Sequence, residues 1–286
     1  MLHLDPPGGV LRIVQVTDTH LEQKTGGTLL GMDTDASLGH VLDLVRSAAR
    51  KPHLLLATGD IANHASAEAY GRARDAFDTL GVPWAWLPGN HDEFDPMQRV
   101  LGRGAAMVRA VRTPHWQVLL LDSTVPGQVG GRLGAEELAL LGQLLDEAPA
   151  LHALVCLHHQ PVPIGCAWLD EQMVADDEAF FAVLRRHPQV RLVLWGHVHQ
   201  EFAGERDGIA LRATPSSCIQ FAPSSAGFRV DEQSPGLRWL EDFPLLEPLF
   251  EGWPHIDSDG MMRPRDVRGH GLRLPQATSN RYRHST

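Results

Sequence analysis

Five short apolar runs along the chain each stop at a cluster of polar residues, and this punctuation predicts how the chain is organised. Ile13, Val14 and Val16 run into Thr17, Asp18, Thr19 and His20, and residues 54–57 lead into Gly59-Asp60. Trp84–Leu87 precedes Asn90-His91, residues 154–157 stop at His158, and residues 192–195 stop at Gly196-His197-Val198-His199. Runs of this length read as buried strands. In open α/β sheets ligands bind in the crevice beyond the carboxyl ends of the strands, so these distant residues are expected to converge on one site.

Helical spacing fills the intervals between the runs. After a Gly- and Thr-rich loop over residues 22–32, Thr34 or Asp35 is expected to cap a helix whose buried stripe is Leu38, Val41, Leu42 and Val45. Ser66 or a neighbour opens a second helix, with Ala69, Ala73, Phe77 and Leu80 inward and Gly81 as its stop. Beyond Asn90 the pattern changes. Residues 107–111 and 116–121 read as neighbouring strands with a short connection, which predicts a second sheet. Leu138, Leu141, Leu144 and Leu145 form one further helix and Phe180, Val183 and Leu184 another, each ahead of a polar-ended strand. Residues 202–203 and 209–213 flank Asp207-Gly208 as a hairpin in which Gly takes positive φ. Strands alternating with helices of this length point to parallel pairing with helices on the sheet faces.

With 286 residues, 43% of them apolar, the chain can bury one substantial core. We expect a main domain over residues 1–242 and a loosely held extension over 243–286, where periodicity fades and the chain turns polar and basic. A net charge of −10 argues against a general nucleic-acid binder, whose affinity comes mostly from Lys and Arg on phosphates. Any anionic substrate must be attracted locally. Cys156, Cys166 and Cys218 show no CxxC spacing and fit a reducing compartment. No apolar run approaches the roughly 18 residues of a membrane span, so a cytoplasmic protein is expected. No interface is legible, which leaves a homodimer open.

Seven of the strand-end residues form a ligand set for metal: Asp18, His20, Asp60, Asn90, His158, His197 and His199. Their oxygen and imidazole donors suit Mn, Fe, Zn or Co better than calcium. Seven such ligands exceed one ion and serve two if one residue bridges. Asp60, alone at its strand end, is the natural bridge because its carboxylate offers two oxygens. His197 and His199, two apart in an extended segment, would project to one side and each reach a different ion. Taken singly these are weak signals, since most of the 16 histidines of such a chain are solvated or merely packed. Their ordered combination is the specific feature.

DTH, GD, GNHD, HHQP and GHVH, in this order between Leu11 and Leu240, resemble the calcineurin-like metallophosphoesterase family. The resemblance implies a two-sheet αββα sandwich with a dinuclear centre between the sheets. It implies that Asp18, His20 and His199 hold one divalent metal, Asn90, His158 and His197 the other, and Asp60 both. Iron or manganese is expected first and zinc next. His159, beside His158, takes a packing or supporting role. A water shared by two metals has its pKa lowered from ~15.7 towards ~7, and the resulting hydroxide is the implied nucleophile. Two divalent ions against Asp18, Asp60 and hydroxide leave one positive charge facing a phosphate. His91, on the tight Pro88-Gly89 turn, would point away from the metals as the general acid, while Asp92 either orients it, caps a helix or lies at the surface.

Within the family, VTDTHL (16–21), ATGDIA (57–62), PVPIGCAWLD (161–170) and ATPSSCIQF (213–221) resemble the class III bacterial 3′,5′-cyclic-AMP phosphodiesterases. The implied reaction is cleavage of the 3′ P–O bond to give 5′-AMP and lower cellular cAMP, with His20, Asp60, Asn90, His91 and His199 around the phosphate. Trp168 would stack on the base, and Ser216, Ser217 or Gln220 would bond ribose or base, unless these residues only pack the rim. Two alternatives are a broader esterase acting on other nucleotide diesters or monoesters, and a silent metal-binding scaffold. The chain also departs from the family in continuing past Leu240 into a Pro- and Arg-bearing tail.

Overall fold

A computed structural model describes residues 1–101 and 108–241, together with 261–262. The polar-ended runs form two sheets. One has five strands in the order Met261–Met262, Leu237–Glu241, Arg12–Val16, Leu54–Thr58 and Trp84–Leu87, with the last three parallel. The other has seven, in the order Leu2–His3, Ala110–Arg112, Trp116–Leu120, His152–Cys156, Val190–Trp195, Ile209–Ala213 and Phe202–Arg206. Its central run from Trp116–Leu120 through Ile209–Ala213 is parallel.

The two-residue period of a strand explains the layers. Ile13, Leu54, Leu56, Leu154, Cys156, Leu192 and Leu194 face the space between the sheets and form one apolar cluster. Their alternates Val14, Leu55 and Ala57 pack under the helices Thr34–Ser47 and Ala67–Asp78. Val155, Val193 and Trp195 do the same under Gly134–Glu147 and Asp177–Leu184. Strands covered on both faces read as continuous apolar runs rather than alternating ones, which is why the sequence shows runs. The architecture is an αββα sandwich. Across its middle Gln15 donates from the five-stranded sheet to Trp195 O of the other (3.1 Å) and to Thr58 Oγ1 (2.7 Å), tying the sheets together near the polar ends.

Several local expectations shift. Asp33, rather than Thr34 or Asp35, caps the first helix, its Oδ1 accepting from Ala36 N at 2.9 Å. Thr34 is buried inside the first turn, and Asp35 is drawn away by Arg72 at 2.8 Å. Ser66 caps the second helix as expected, receiving Ala69 N at 3.1 Å. That helix ends at Asp78, so Leu80 packs against the core from beyond it. The hairpin strand extends to Arg206, and both Asp207 and Gly208 have positive φ, the pattern of a type I′ turn. Of residues 107–111, Met107 lies outside the described residues and the strand proper is Ala110–Arg112. The expected extension over 243–286 also lies outside them, apart from Met261–Met262 paired antiparallel with Leu237 and Arg238. No helix among the described residues is long and apolar enough to cross a membrane.

Candidate metal centre

The loops that leave the strand ends continue the pairing of the strands beneath them. Asp18 N donates to Gly59 O (3.0 Å), His20 N to Asp60 O (2.9 Å) and Leu21 N to Ile61 O (3.0 Å). To turn side chains inward from this continued ladder, the backbone goes left-handed. Asp18, His20, Asp60, His197 and His199 have φ of 54°, 45°, 50°, 64° and 46°. Such backbone in non-glycine residues is sterically costly and clusters at functional sites. His197 and His199 are therefore not extended neighbours on one side. His197 lies against His158 and His159, with ring centroids 5.1 and 4.7 Å away, whereas His199 lies against His20 at 5.0 Å.

The ligand atoms of Asp18, His20 and His199 lie within 4.8 Å of one another, as do those of Asp18, Asp60 and His158, and those of His20, Asp60 and His91. Asp60 sits in the middle: its Oδ2 is 3.3 Å from His158 Nε2 and 3.7 Å from His20 Nε2. Asp18 Oδ1 is 3.3 Å from His199 Nε2 and also receives His197 N at 3.1 Å. Two glycines make this closeness physically available. A Cβ on Gly89 would stand 2.1 Å from Asp60 Oδ1, and one on Gly59, at φ 98°, would stand 2.3 Å from His158 Nδ1.

Behind the site, backbone carbonyls orient the rings. His158 Nδ1 donates to Thr58 O (2.8 Å) and His199 Nδ1 to Ile219 O (2.7 Å), so each presents Nε2 inward. Burial holds His20 at about 3 against the opposing charge of Asp60, and burial with His159 and His158 holds His197 well below the ordinary value. Both are neutral at physiological pH, the form that ligates metal. Burial acts to raise the Asp60 carboxyl, but His158 and His91 overcome it and hold Asp60 well below its ordinary value. The same contact lifts His158 to about 9 against burial.

Polar atoms without matching partners remain. His20 Nδ1, Asn90 Oδ1 and His197 Nε2 are buried with no hydrogen-bond partner, His158 Nε2 has only the Asp60 carboxylate at 3.3 Å, and His20 Nε2 confronts His199 Nε2 at 3.1 Å. Leaving buried polar atoms unmatched costs about 1–3 kcal/mol each. A donor set of two carboxylates, one amide oxygen and four imidazoles fits divalent transition ions. Cys156 and Cys218 take no part. Burial pushes both thiols up, Cys218 to about 12, away from the thiolate form that binds metal.

The GNHD turn closes on itself with Asp92 N donating to Gly89 O. His91 lies at the exposed mouth: its backbone N bonds Asp60 Oδ1 (2.9 Å) and its Nδ1 donates to Asn63 O (2.8 Å), which leaves Nε2 for a ligand. Asp92 neither orients that ring nor caps a helix. Its carboxylate accepts Ala62 N, Ile61 N and Gly89 N, clamping the Asp60 loop to the turn. The spacing within GNHD was the only available hint. His159 donates from Nε2 to Val129 O (3.0 Å), so its Nδ1, 2.8 Å from Ser123 Oγ, accepts, and both nitrogens are occupied. Ser216 and Ser217 give their hydroxyls to Asp18 O and Thr17 O, so they hold the Asp18 loop and are not free to bond a substrate. Gln220 spends its amide on Ser216 and Cys218. Trp168, on the short helix Ala167–Asp170, packs edge-on against Phe221 at 5.1 Å, and it is Phe221 that stacks on His199 at 4.1 Å.

Two sheets back to back, with Asp, Asn and His gathered at their rims, define a metal-dependent phosphoesterase, and the profile of the calcineurin-like phosphoesterases matches residues 11–201. The chain belongs to that family. Among its relatives it is similar to the 3′,5′-cyclic adenosine monophosphate phosphodiesterase CpdA of Pseudomonas aeruginosa, 43% identical over 228 residues that cover 80% of this chain and 84% of that one. CpdA of Escherichia coli K12 is 40% identical over 234 residues, covering 81% and 85%. The fold is also that of a dimetal phosphatase from Danio rerio, with a TM-score of 0.56 at 18% identity, covering 80% of this chain and 92% of that one.

Proposed function

We propose that this chain hydrolyses 3′,5′-cyclic AMP to 5′-AMP and so lowers cellular cAMP. The observation that carries the reading is the overlapping groups Asp18, His20 and His199, and Asp18, Asp60 and His158, whose ligand atoms lie within 4.8 Å of one another, with Asn90 Oδ1 and His197 Nε2 buried and unpartnered. Asp18, His20 and His199 would hold one divalent ion, Asn90, His158 and His197 a second, and Asp60 both, with iron or manganese preferred over zinc. Bound there, the pair supplies positive charge for the phosphate and a water whose pKa falls towards ~7. The 40–43% likeness to the CpdA enzymes supports the cyclic nucleotide as substrate.

The chain's own residues do the rest. Two carboxylates against two divalent ions leave a positive balance that draws a diester into a protein of net charge −10. Water oxygen adds to phosphorus and releases a proton to solvent, the P–O3′ bond breaks, and O3′ takes a proton. Asn63 O holds the Nδ1 proton, so Nε2 is the nitrogen that exchanges protons, and the protonated, imidazolium form of His91 would deliver one to O3′ from there. His159, with both nitrogens engaged, stays neutral and braces His158 and His197. Three buried free thiols agree with a cytoplasmic setting.

The test compares kcat/KM for cAMP, cGMP, 2′,3′-cyclic AMP and bis(p-nitrophenyl) phosphate after loading with Mn²⁺ or Fe²⁺, alongside metal analysis. We expect two ions per chain and a preference for cAMP. Preference for the artificial diester by orders of magnitude over cAMP counts against the reading.

A further inference from the structure

A cavity of about 340 Å³ opens directly beside His199, so it is continuous with the candidate metal centre. Polar side chains make up most of its lining, with Phe221 as its aromatic wall, and small ligands are oriented by such placed polar groups beside an apolar surface. One wall is Phe221, which stacks on His199 and meets Trp168 and the exposed Phe228 at its edges. Another is Gln200, the residue after the ligand histidine. Gln200 is 6% exposed, and its Nε2 makes no hydrogen bond. A long amide buried without a partner is expensive unless something arrives to satisfy it. Asp231, on the short strand Val230–Asp231 that pairs with Gln220–Phe221, adds a carboxylate to the lining of the same cavity.

We propose that this cavity is the base subsite, taking the purine of the nucleotide whose phosphate lies at the metal centre. The assignment rests on the cyclic-nucleotide reading above. Gln200 gives an amide donor to a ring-nitrogen acceptor, and Asp231 accepts from an exocyclic amino group. That pairing matches the adjacent acceptor and donor on the edge of adenine, the same complementarity by which amide side chains read adenine elsewhere. Phe221 covers an apolar face of the ring, backed by Trp168 packed edge-on behind it. Gln220 lines the cavity too, but its amide is already committed to the loop, so it shapes the pocket and does not read the base.

The full-length, metal-loaded protein is assayed on cAMP and on bis(p-nitrophenyl) phosphate, which has no base, for the parent, Gln200→Leu and Asp231→Asn. AMP binding is followed separately by tryptophan fluorescence and compared with inorganic phosphate as an inhibitor. The expected result is a fall of at least tenfold in the ratio of kcat/KM for cAMP to that for the artificial diester, carried by KM. AMP binding weakens in step, while phosphate inhibition does not follow. Equal losses on both diesters, or an unchanged ratio in both variants, overturn the assignment. Asp231→Asn, on a half-buried strand, decides the matter if Gln200→Leu does not fold. A parent protein active on the artificial diester and inert on cAMP would instead remove the cyclic-nucleotide reading itself.

Discussion

Replacing Asp92 with alanine removes three hydrogen bonds accepted by two oxygens in one step. The carboxylate takes Ala62 N on Oδ1 at 3.0 Å, and Ile61 N and Gly89 N on Oδ2 at 3.0 and 2.9 Å. Ile61 and Ala62 are fully buried, so their N–H groups have no ready substitute. Each donor left unmatched costs about 1–3 kcal/mol. Water entering the space vacated by the carboxylate favours the low end, and the sum is about 3 kcal/mol of stability. Asp92→Asn is milder: an amide oxygen at the Oδ2 position keeps two acceptances and sets an NH₂ against Ala62 N–H, at a cost of about 1–3 kcal/mol. The clamp also holds the turn where Gly89 abuts Asp60 and where His91 N bonds Asp60 Oδ1. Both metal content and turnover should therefore fall in the order parent, Asn, Ala. Urea unfolding, metal analysis and steady-state kinetics on the three proteins measure this. An alanine variant within about 1 kcal/mol of the parent, with turnover intact, would refute the clamp.

Other expectations follow from the same geometry. His91→Ala should lower kcat by about 10²–10⁴ while leaving two metals in place, since the ring bonds Asn63 O and is not part of the buried donor set; a variant with full turnover ends the general-acid role. In metal-free protein, burial first and the charge of Asp60 second push Asp92 up to about 6 from its ordinary 3.8. A folded pKa above the unfolded one means stability fully present below pH ~4 and lost as pH rises through ~6, by about 3 kcal/mol. Unfolding of the metal-free parent between pH 4 and 7 should show that loss and Asp92→Asn should lack it; equal slopes would contradict the assignment. Leu194→Ala, between the sheets, should cost about 2–5 kcal/mol in chemical denaturation, and a cost below that range would argue against a tightly packed inter-sheet layer.

That Asp18, His20, Asp60, His158, His197 and His199 stand at neighbouring strand ends was legible because each follows an apolar run, and short runs of this kind read as strands covered on both faces. Other features were not legible. Asp33 stands in a polar stretch where Thr34 and Asp35 also offer oxygens, and only the path of the first turn decides among them. Ser216 and Ser217 carry hydroxyls that serve substrate or backbone equally well on paper; the packing of their loop beneath Asp18 settles it. Gln200 and Phe221 meet at one cavity through tertiary structure, with no periodic signal. Nor does the sequence announce left-handed backbone at aspartate and histidine, because glycine is the usual marker for it.

Those five left-handed residues have a consequence for the life of the protein. At about 1 kcal/mol apiece, their backbone discomfort adds up to a sizeable share of the net stability of an ordinary domain. Bound cations would repay that deficit. A chain stripped of its ions should open first at the rims of its sheets, exchanging amide protons there long before the sandwich interior does. Putting glycine at any of these positions would ease the backbone and delete a candidate ligand in the same stroke. Durability and chemistry thus compete at the same five residues, and selection can improve one only by surrendering some of the other.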